Sequence, residues 1–239
     1  MIFLKMPDGG NKYMKRSEIN REIRKAEEFF ASFQFKLPKF AYWSAEELQS
    51  RRHDEKYREI FDCNLGWDLT DFGTGNFEKE GLFLFTIRNG VVNDPAYPKP
   101  YAEKIMISRV NQVTLTHCHE YKREDIINRG GGKLVFELFN RKGDSPELDD
   151  TPVTVSKDGE KIIVKAGEVL ILEPGESILL ERNVFHKFYA LESDVLIGEV
   201  SAVNDDHNDN LFHIPLQRFP SIIEDEAPYR YLVSDYANL

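Results

Sequence analysis

A chain of 239 residues is long enough to bury a real core, and one large domain with elaborations is the simplest reading of that length. Its 41 acidic against 31 basic side chains leave a formal charge of −10, which argues against nucleic acid or an anionic membrane as partner and suits a neutral substrate. Apolar residues make up 41% with no run long enough to span a bilayer, and two cysteines, Cys63 and Cys118, are too few for a disulfide framework, so a cytoplasmic globular protein is expected.

Residues 1–13, interrupted by Pro7, Gly9 and Gly10, read as an N-terminal extension and not as a signal peptide. Ser17 reads as an N-cap, and Ile19, Ile23, Ala26, Phe30 and Phe33 recur at four-and-three spacing, which predicts an amphipathic helix over about 18–33. Leu37-Pro38-Lys39-Phe40 breaks it, and Ser44-Ala-Glu-Glu47 is a capping box for a second helix through about Arg52. The region 14–65 is therefore expected to be helical and to pack outside whatever follows. From Gly66 the apolar runs shorten and turn residues multiply, which is sheet texture. Strands are predicted at about 82–87, 104–110, 113–119, 133–140, 161–164, 167–172, 177–180, 185–191 and 195–203. That spacing indicates a sandwich or barrel over 66–203, with a closed double sheet enclosing a ligand cavity as the jelly-roll solution. The stretch 140–158, rich in charge, Gly and Pro, reads as an exposed insertion. The polar loop 204–210 and a tail held extended by Pro215, Pro220 and Pro228 complete the chain, the tail crossing the barrel mouth or embracing a second subunit.

Chemistry concentrates between Thr116 and Lys133. If that segment enters as a strand, His117 and His119 share one face while Cys118 points to the other. Glu124 is the first strong carboxylate candidate after them, and Gly130-Gly131-Gly132 would let the chain turn sharply back into a strand. A third imidazole, His186, stands early on the returning strand of a hairpin whose turn is Glu181-Arg182-Asn183. Three neutral imidazoles and one carboxylate suit a divalent first-row ion. His207 reads as a loop residue near the site at most, and His53 and His213 as structural.

The two segments resemble the paired motifs of the cupin superfamily. His117, His119, Glu124 and Gly131 follow the first motif, with Asn111 at its opening glycine. Gly175 opens the second and His186 takes its histidine, with Glu181 at its proline, Asn183 at its second glycine and Ala190 at its final Asn. Both glycine replacements are Asn, which tolerates the left-handed conformation best after Gly. Within the superfamily, the phrases over 99–107, 122–132 and 198–206 resemble those of bacterial D-lyxose isomerases, with the likeness running from about Met14 to the C-terminus.

That resemblance implies a mainly β, cupin-type jelly-roll barrel with N-terminal helices outside it and a C-terminal extension. It implies a metal-dependent aldose-ketose isomerase that interconverts D-lyxose and D-xylulose, with D-mannose to D-fructose as a side activity. Manganese leads among the ions, with cobalt, iron, nickel and zinc as alternatives, and a homodimer follows by the same analogy. Proton transfer between C1 and C2 needs a base that is not a metal ligand. Alternation along 195–203 sets Glu199 with Val195, Ile197, Ser201 and Val203, facing either inward or to water, and the resemblance favours inward as the base. Lys104 and Lys122 are the cationic candidates, able to bind hydroxyls, to stabilise an enediolate, or to shuttle a proton if burial lowers their pKa. Asp206 and Arg129 are the candidates for binding sugar hydroxyls. A cupin dioxygenase, a noncatalytic sugar-binding or sensory cupin, and a sugar-phosphate isomerase are the alternatives.

Overall fold

The computed structural model describes residues 13–239, so the N-terminal extension expected over 1–13 lies outside the described residues except for Tyr13. That residue opens β1 (Tyr13–Lys15), which leads directly into α1 (Arg16–Ser32). The helix starts ahead of the expected Ser17 cap. Lys15 takes the cap position, its N–H donating to Glu18 at 3.0 Å, while Ser17 donates its N–H and hydroxyl to Asp225 of the tail at 2.9 and 2.7 Å. Ile19, Ile23, Ala26 and Phe30 are all buried, as their periodicity requires. α2 (Ala45–Ser50) has the expected capping box, with the Glu47 N–H donating to Ser44 Oγ at 3.1 Å and the Ser44 N–H to Glu47 at 2.9 Å. A one-turn α3 (Arg58–Asp62) follows. Among the described residues no helix is long and apolar enough to cross a membrane.

The strands are β2 (Gly66–Thr70), β3 (Leu82–Arg88), β4 (Tyr101–Ser108), β5 (Val113–His119), β6 (Glu124–Arg141), β7 (Leu148–Asp149), β8 (Val153–Lys157), β9 (Glu160–Val164), β10 (Val169–Leu172), β11 (Ser177–Leu180), β12 (Val184–Ala202), β13 (Asn210–Phe212) and β14 (Ser221–Ile223). β6 and β12 pair antiparallel along most of their length and divide the ladder into two halves. One half runs β13-β5-β12-β6-β10, the other β2-β3-β4-β12-β6-β11-β8-β9. Their inner faces share a core containing Leu84, Met106, Ile126, Phe136, Leu138 and Phe188. The result is a two-layered, mainly β fold whose described ladder runs from β2 to β9 without closing. Alternation sends Leu82 and Leu84 inward and Phe83 and Phe85 outward, where Trp67, Ile105 and Ile107 join them under α1. The helix therefore packs outside the sheet, as its stripe predicts.

Four expectations change. Gly130 to Gly132 do not turn the chain back; they lie inside β6, where φ of +144° and +101° at Gly130 and Gly131 bends the strand opposite a register shift in β12. A Cβ on Gly131 would stand 2.0 Å from the Asp194 carbonyl oxygen, so the bend is tight against backbone. Accordingly the predicted strands at 185–191 and 195–203 are one strand, β12. The stretch 140–158 is not a simple exposed insertion either, because it contains β7 and β8 and buries Val153 and Val155 in the core. The tail also builds sheet: β13 pairs with β5, and β14 pairs in parallel with β1.

Candidate active site

The imidazoles converge because β5 and β12 are neighbours. His186 is the cross-strand partner of His117, and His119 follows two residues later on the same face. The ligating ring atoms of the three lie within 4.8 Å of one another. Each ring is oriented from behind by a backbone carbonyl, which can only accept: His117 Nδ1 donates to Leu115 at 2.8 Å, His186 Nδ1 to Val184 at 3.0 Å and His119 Nδ1 to Asp209 at 3.2 Å. With the proton fixed on Nδ1, each Nε2 presents a lone pair to the cavity. Glu124, first residue of β6, stands among them, 3.2 Å from His186 Nε2 and 3.4 Å from His119 Nε2. His186 Nε2 is buried yet makes no hydrogen bond among the described residues. A buried, unsatisfied imidazole nitrogen facing two others and a carboxylate fits a divalent cation.

Local structure explains the placement. Asn183 and Asn111 have φ of +61° and +65°, the left-handed geometry expected where the motif has glycine. The Asn183 N–H donates to the His119 carbonyl at 2.8 Å, tying the turn before His186 to the end of β5. Asp209, from the loop ahead of β13, accepts the N–H groups of Tyr121 and Lys122 at 2.6 and 3.1 Å and so fixes the turn that carries the chain from His119 to Glu124.

Next to the imidazoles lies a buried charge network. Lys122 Nζ is 2.9 Å from Glu124 Oε2 and 3.0 Å from Glu199 Oε1, and Lys104 Nζ is 3.2 Å from Glu199 Oε1. Asn204 Oδ1 accepts from Lys104 at 2.6 Å and from Lys122 at 3.2 Å, and its amide donates to Asp206 at 2.9 Å. Arg218 closes the network, 3.1 Å from Asp206 and 2.6 Å from Asp68. Burial opposes ionisation of Glu124, but the Lys122 ammonium outweighs it and holds the carboxyl well below its ordinary value. Glu199 behaves alike: burial raises, Lys104 and Lys122 lower more, and the group stays ionised at neutral pH. His117, half-buried as a residue but with its ring in the cavity, is held well below its ordinary value by burial and by His186 and His119. His119 is lowered by burial and by Lys122.

For Lys122 the network works against the proton-shuttle alternative: burial alone would lower its pKa, but Glu124 and Glu199 outweigh burial and raise it.

The cavity brings together His117, His119, Glu124, His186, Lys104, Lys122, Glu199 and Asp206. It does not include Arg129. Alternation in β6 puts Glu124 and Ile126 inside and Arg129 on the opposite, exposed face, where its side chain lies over Gly198. His207 is exposed and packs its ring 5.1 Å from Phe219. His213 bonds the Pro146 carbonyl at 2.9 Å. Sequence reasoning missed Asp209, Asn204, Arg218, Asp68, Thr70, Phe72 and Phe212. Arg218 Nη1 is buried in the cavity wall without a hydrogen-bond partner among the described residues, a donor available to a polar ligand.

A model of the D-lyxose isomerase family matches residues 14–236. A D-lyxose/D-mannose isomerase of Serratia proteamaculans is 48% identical over 228 residues, covering 93% of this chain and 98% of that protein. A protein of the same description from Escherichia coli O157:H7 is 46% identical over 225 residues, with the same coverage. Among solved structures, the L-ribose isomerase of Acinetobacter sp. DL28 in complex with L-ribose is similar with a TM-score of 0.56 over 90% of this chain and 100% of that one. At 14% identity that likeness is one of fold.

Proposed function

The chain belongs to the D-lyxose isomerase family, and from that premise we propose that it interconverts D-lyxose and D-xylulose, and D-mannose and D-fructose, by proton transfer between C1 and C2. The observation that carries the chemistry is a buried Glu199 hydrogen-bonded by Lys122 beside three imidazoles that converge on Glu124. His117, His119, His186 and Glu124 would hold a divalent ion, manganese first among the candidates. Such an ion supplies Lewis-acid polarisation at the sugar oxygens next to the reacting carbons.

Glu199 removes the proton from C2 of the aldose and returns it to C1, while the hydroxyl proton passes from O2 to O1. Lys122, fixed as an ammonium, keeps Glu199 ionised before the transfer and donates to the oxygen that gains negative charge during it. Lys104 shares that role at the same carboxylate oxygen, Glu199 Oε1. Asn204 holds both ammonium groups in position, and Arg218 Nη1 with Asp206 offers a donor and an acceptor for the more distant hydroxyls. The cavity floor of Leu84, Met106, Ile126 and Phe188 keeps bulk water from competing.

A cytoplasmic location is supported by two free, buried thiols, Cys63 and Cys118. A homodimer is supported by the exposed apolar side chains of Val92, Tyr101, Tyr121 and Val200.

The test is ketose formation from D-lyxose and D-mannose by chelator-stripped protein in deuterated water, before and after adding manganese. Metal-restored ketose carrying deuterium at C1 is expected. No ketose from either sugar at stoichiometric metal would refute the reading.

A further inference from the structure

Asp68, Thr70 and Phe72 follow one another at alternate positions along β2 and the loop after it, and they arrive at the same cavity. Asp68 does so through Arg218, whereas Thr70 and Phe72 line the wall themselves. Phe72 is held in an unusual way. Its φ is +55°, the left-handed region that a bulky aromatic residue avoids. Its surroundings impose that conformation. The Phe72 N–H donates to Thr70 Oγ1 at 2.9 Å, the Asp71 carboxylate accepts the N–H groups of Gly73 and Gly75 at 2.9 and 3.0 Å, and the Gln217 N–H of the tail donates to the Phe72 carbonyl at 3.3 Å. The outcome is a ring driven inward, 3% exposed, meeting Phe212 edge-on at 5.8 Å and 76°. Phe212 in turn lies 5.8 Å from the His117 ring. Phe72 is thus one aromatic layer beyond the imidazoles.

We propose that Phe72 forms the end wall of the sugar site and sets how far six-carbon sugars are accepted relative to five-carbon ones. The inference rests on the isomerase reading. With C1 and C2 at Glu199 and the imidazoles, the chain of an aldose extends away from them, and D-mannose differs from D-lyxose by one carbon with its hydroxyl at that far end. With its backbone held at both the N–H and the C=O, and its buried ring packed edge-on against Phe212, Phe72 has little room to swing aside, so the added carbon meets a firm surface.

The experiment compares kcat/KM for D-mannose and D-lyxose in metal-loaded wild-type protein and in Phe72→Ala, Phe72→Leu and Phe72→Gly. The mannose-to-lyxose ratio is expected to rise by about tenfold in Phe72→Ala, the scale on which pockets discriminate one carbon, with a smaller rise in Phe72→Leu. Phe72→Gly, which also accepts the positive φ, is expected to match Phe72→Ala in ratio, separating lost bulk from relieved strain. Calorimetric binding of D-mannitol against D-arabinitol gives the same comparison without turnover, and a matching gain for the six-carbon polyol is expected. A ratio that stays within twofold of wild type, or falls, in folded Phe72→Ala and Phe72→Leu overturns the inference alone. Wild-type protein inactive on both sugars overturns the isomerase reading and this inference with it. If Phe72→Ala fails to fold, Phe72→Leu decides the matter by the same criterion.

Discussion

Replacing Lys122 by Met should destabilise the metal-free protein by an amount its surroundings define. Lys122 is 3% exposed and its ammonium lies 2.9 Å from Glu124 and 3.0 Å from Glu199, so the substitution leaves two buried carboxylates short of a counter-charge. Removing one partner of a buried ion pair costs about 3–5 kcal/mol. Lys104 remains 3.2 Å from Glu199, which argues for the lower end, about 3 kcal/mol. For a chain of this size each kcal/mol lowers Tm by about 2–4 °C, giving a fall of about 6–12 °C at pH 7. The pH dependence has a definite sign. Glu124 and Glu199 have folded-state pKa values below their unfolded ones, so the stability they contribute is present above the unfolded value, about 4.3, and is lost as pH falls through the folded one. The gap between wild type and variant should therefore be widest near neutrality and narrow in acid. Thermal melts followed by circular dichroism on chelator-treated protein, at pH 7 and at steps downward, provide the assay. A fall of less than about 2 °C at pH 7, or a gap that does not change with pH, would refute the charge-compensation reasoning.

Two further substitutions separate the parts of the site. Asp209→Ala removes the acceptor for two backbone N–H groups in the turn between His119 and Glu124, and equilibrium dialysis should show metal affinity about 10–100-fold weaker. Arg129→Ala, on the exposed outer face of β6, should leave kcat/KM for D-lyxose within about twofold of wild type.

The parts of the site that the sequence reveals are those that local geometry determines. His117 and His119 are readable because a strand repeats every two residues, and Asn183 because its left-handed turn is a local requirement. Glu199 is half-readable: alternation identifies its set, and only pairing with β4 and β6 shows that the set faces Lys104 and Lys122. Asp209, Phe212 and Arg218 are silent in the sequence, since they reach the cavity through a tail strand that pairs with β5 across about ninety residues. β2 is silent for another reason. Trp67 and Leu69 alternate with Asp68 and Thr70, but the stretch is five residues long and its polar members are buried like its apolar ones, Asp68 on Arg218 and Thr70 in the cavity wall, so the alternation does not separate a core face from a solvent face. Gly130-Gly131-Gly132 misleads because a reversal and a strand bend require the same freedom at positive φ. Only the partner strand, β12, distinguishes them. Val153 and Val155 were hidden by the charged and Pro-containing residues around a short strand.

Glu199→Gln tests the central claim most directly, because it keeps the shape and removes the base. Metal content and ketose formation from D-lyxose would be measured on the same preparation. The account expects metal content equal to wild type with turnover lower by about a hundredfold or more. Turnover at the wild-type rate with metal bound would contradict it.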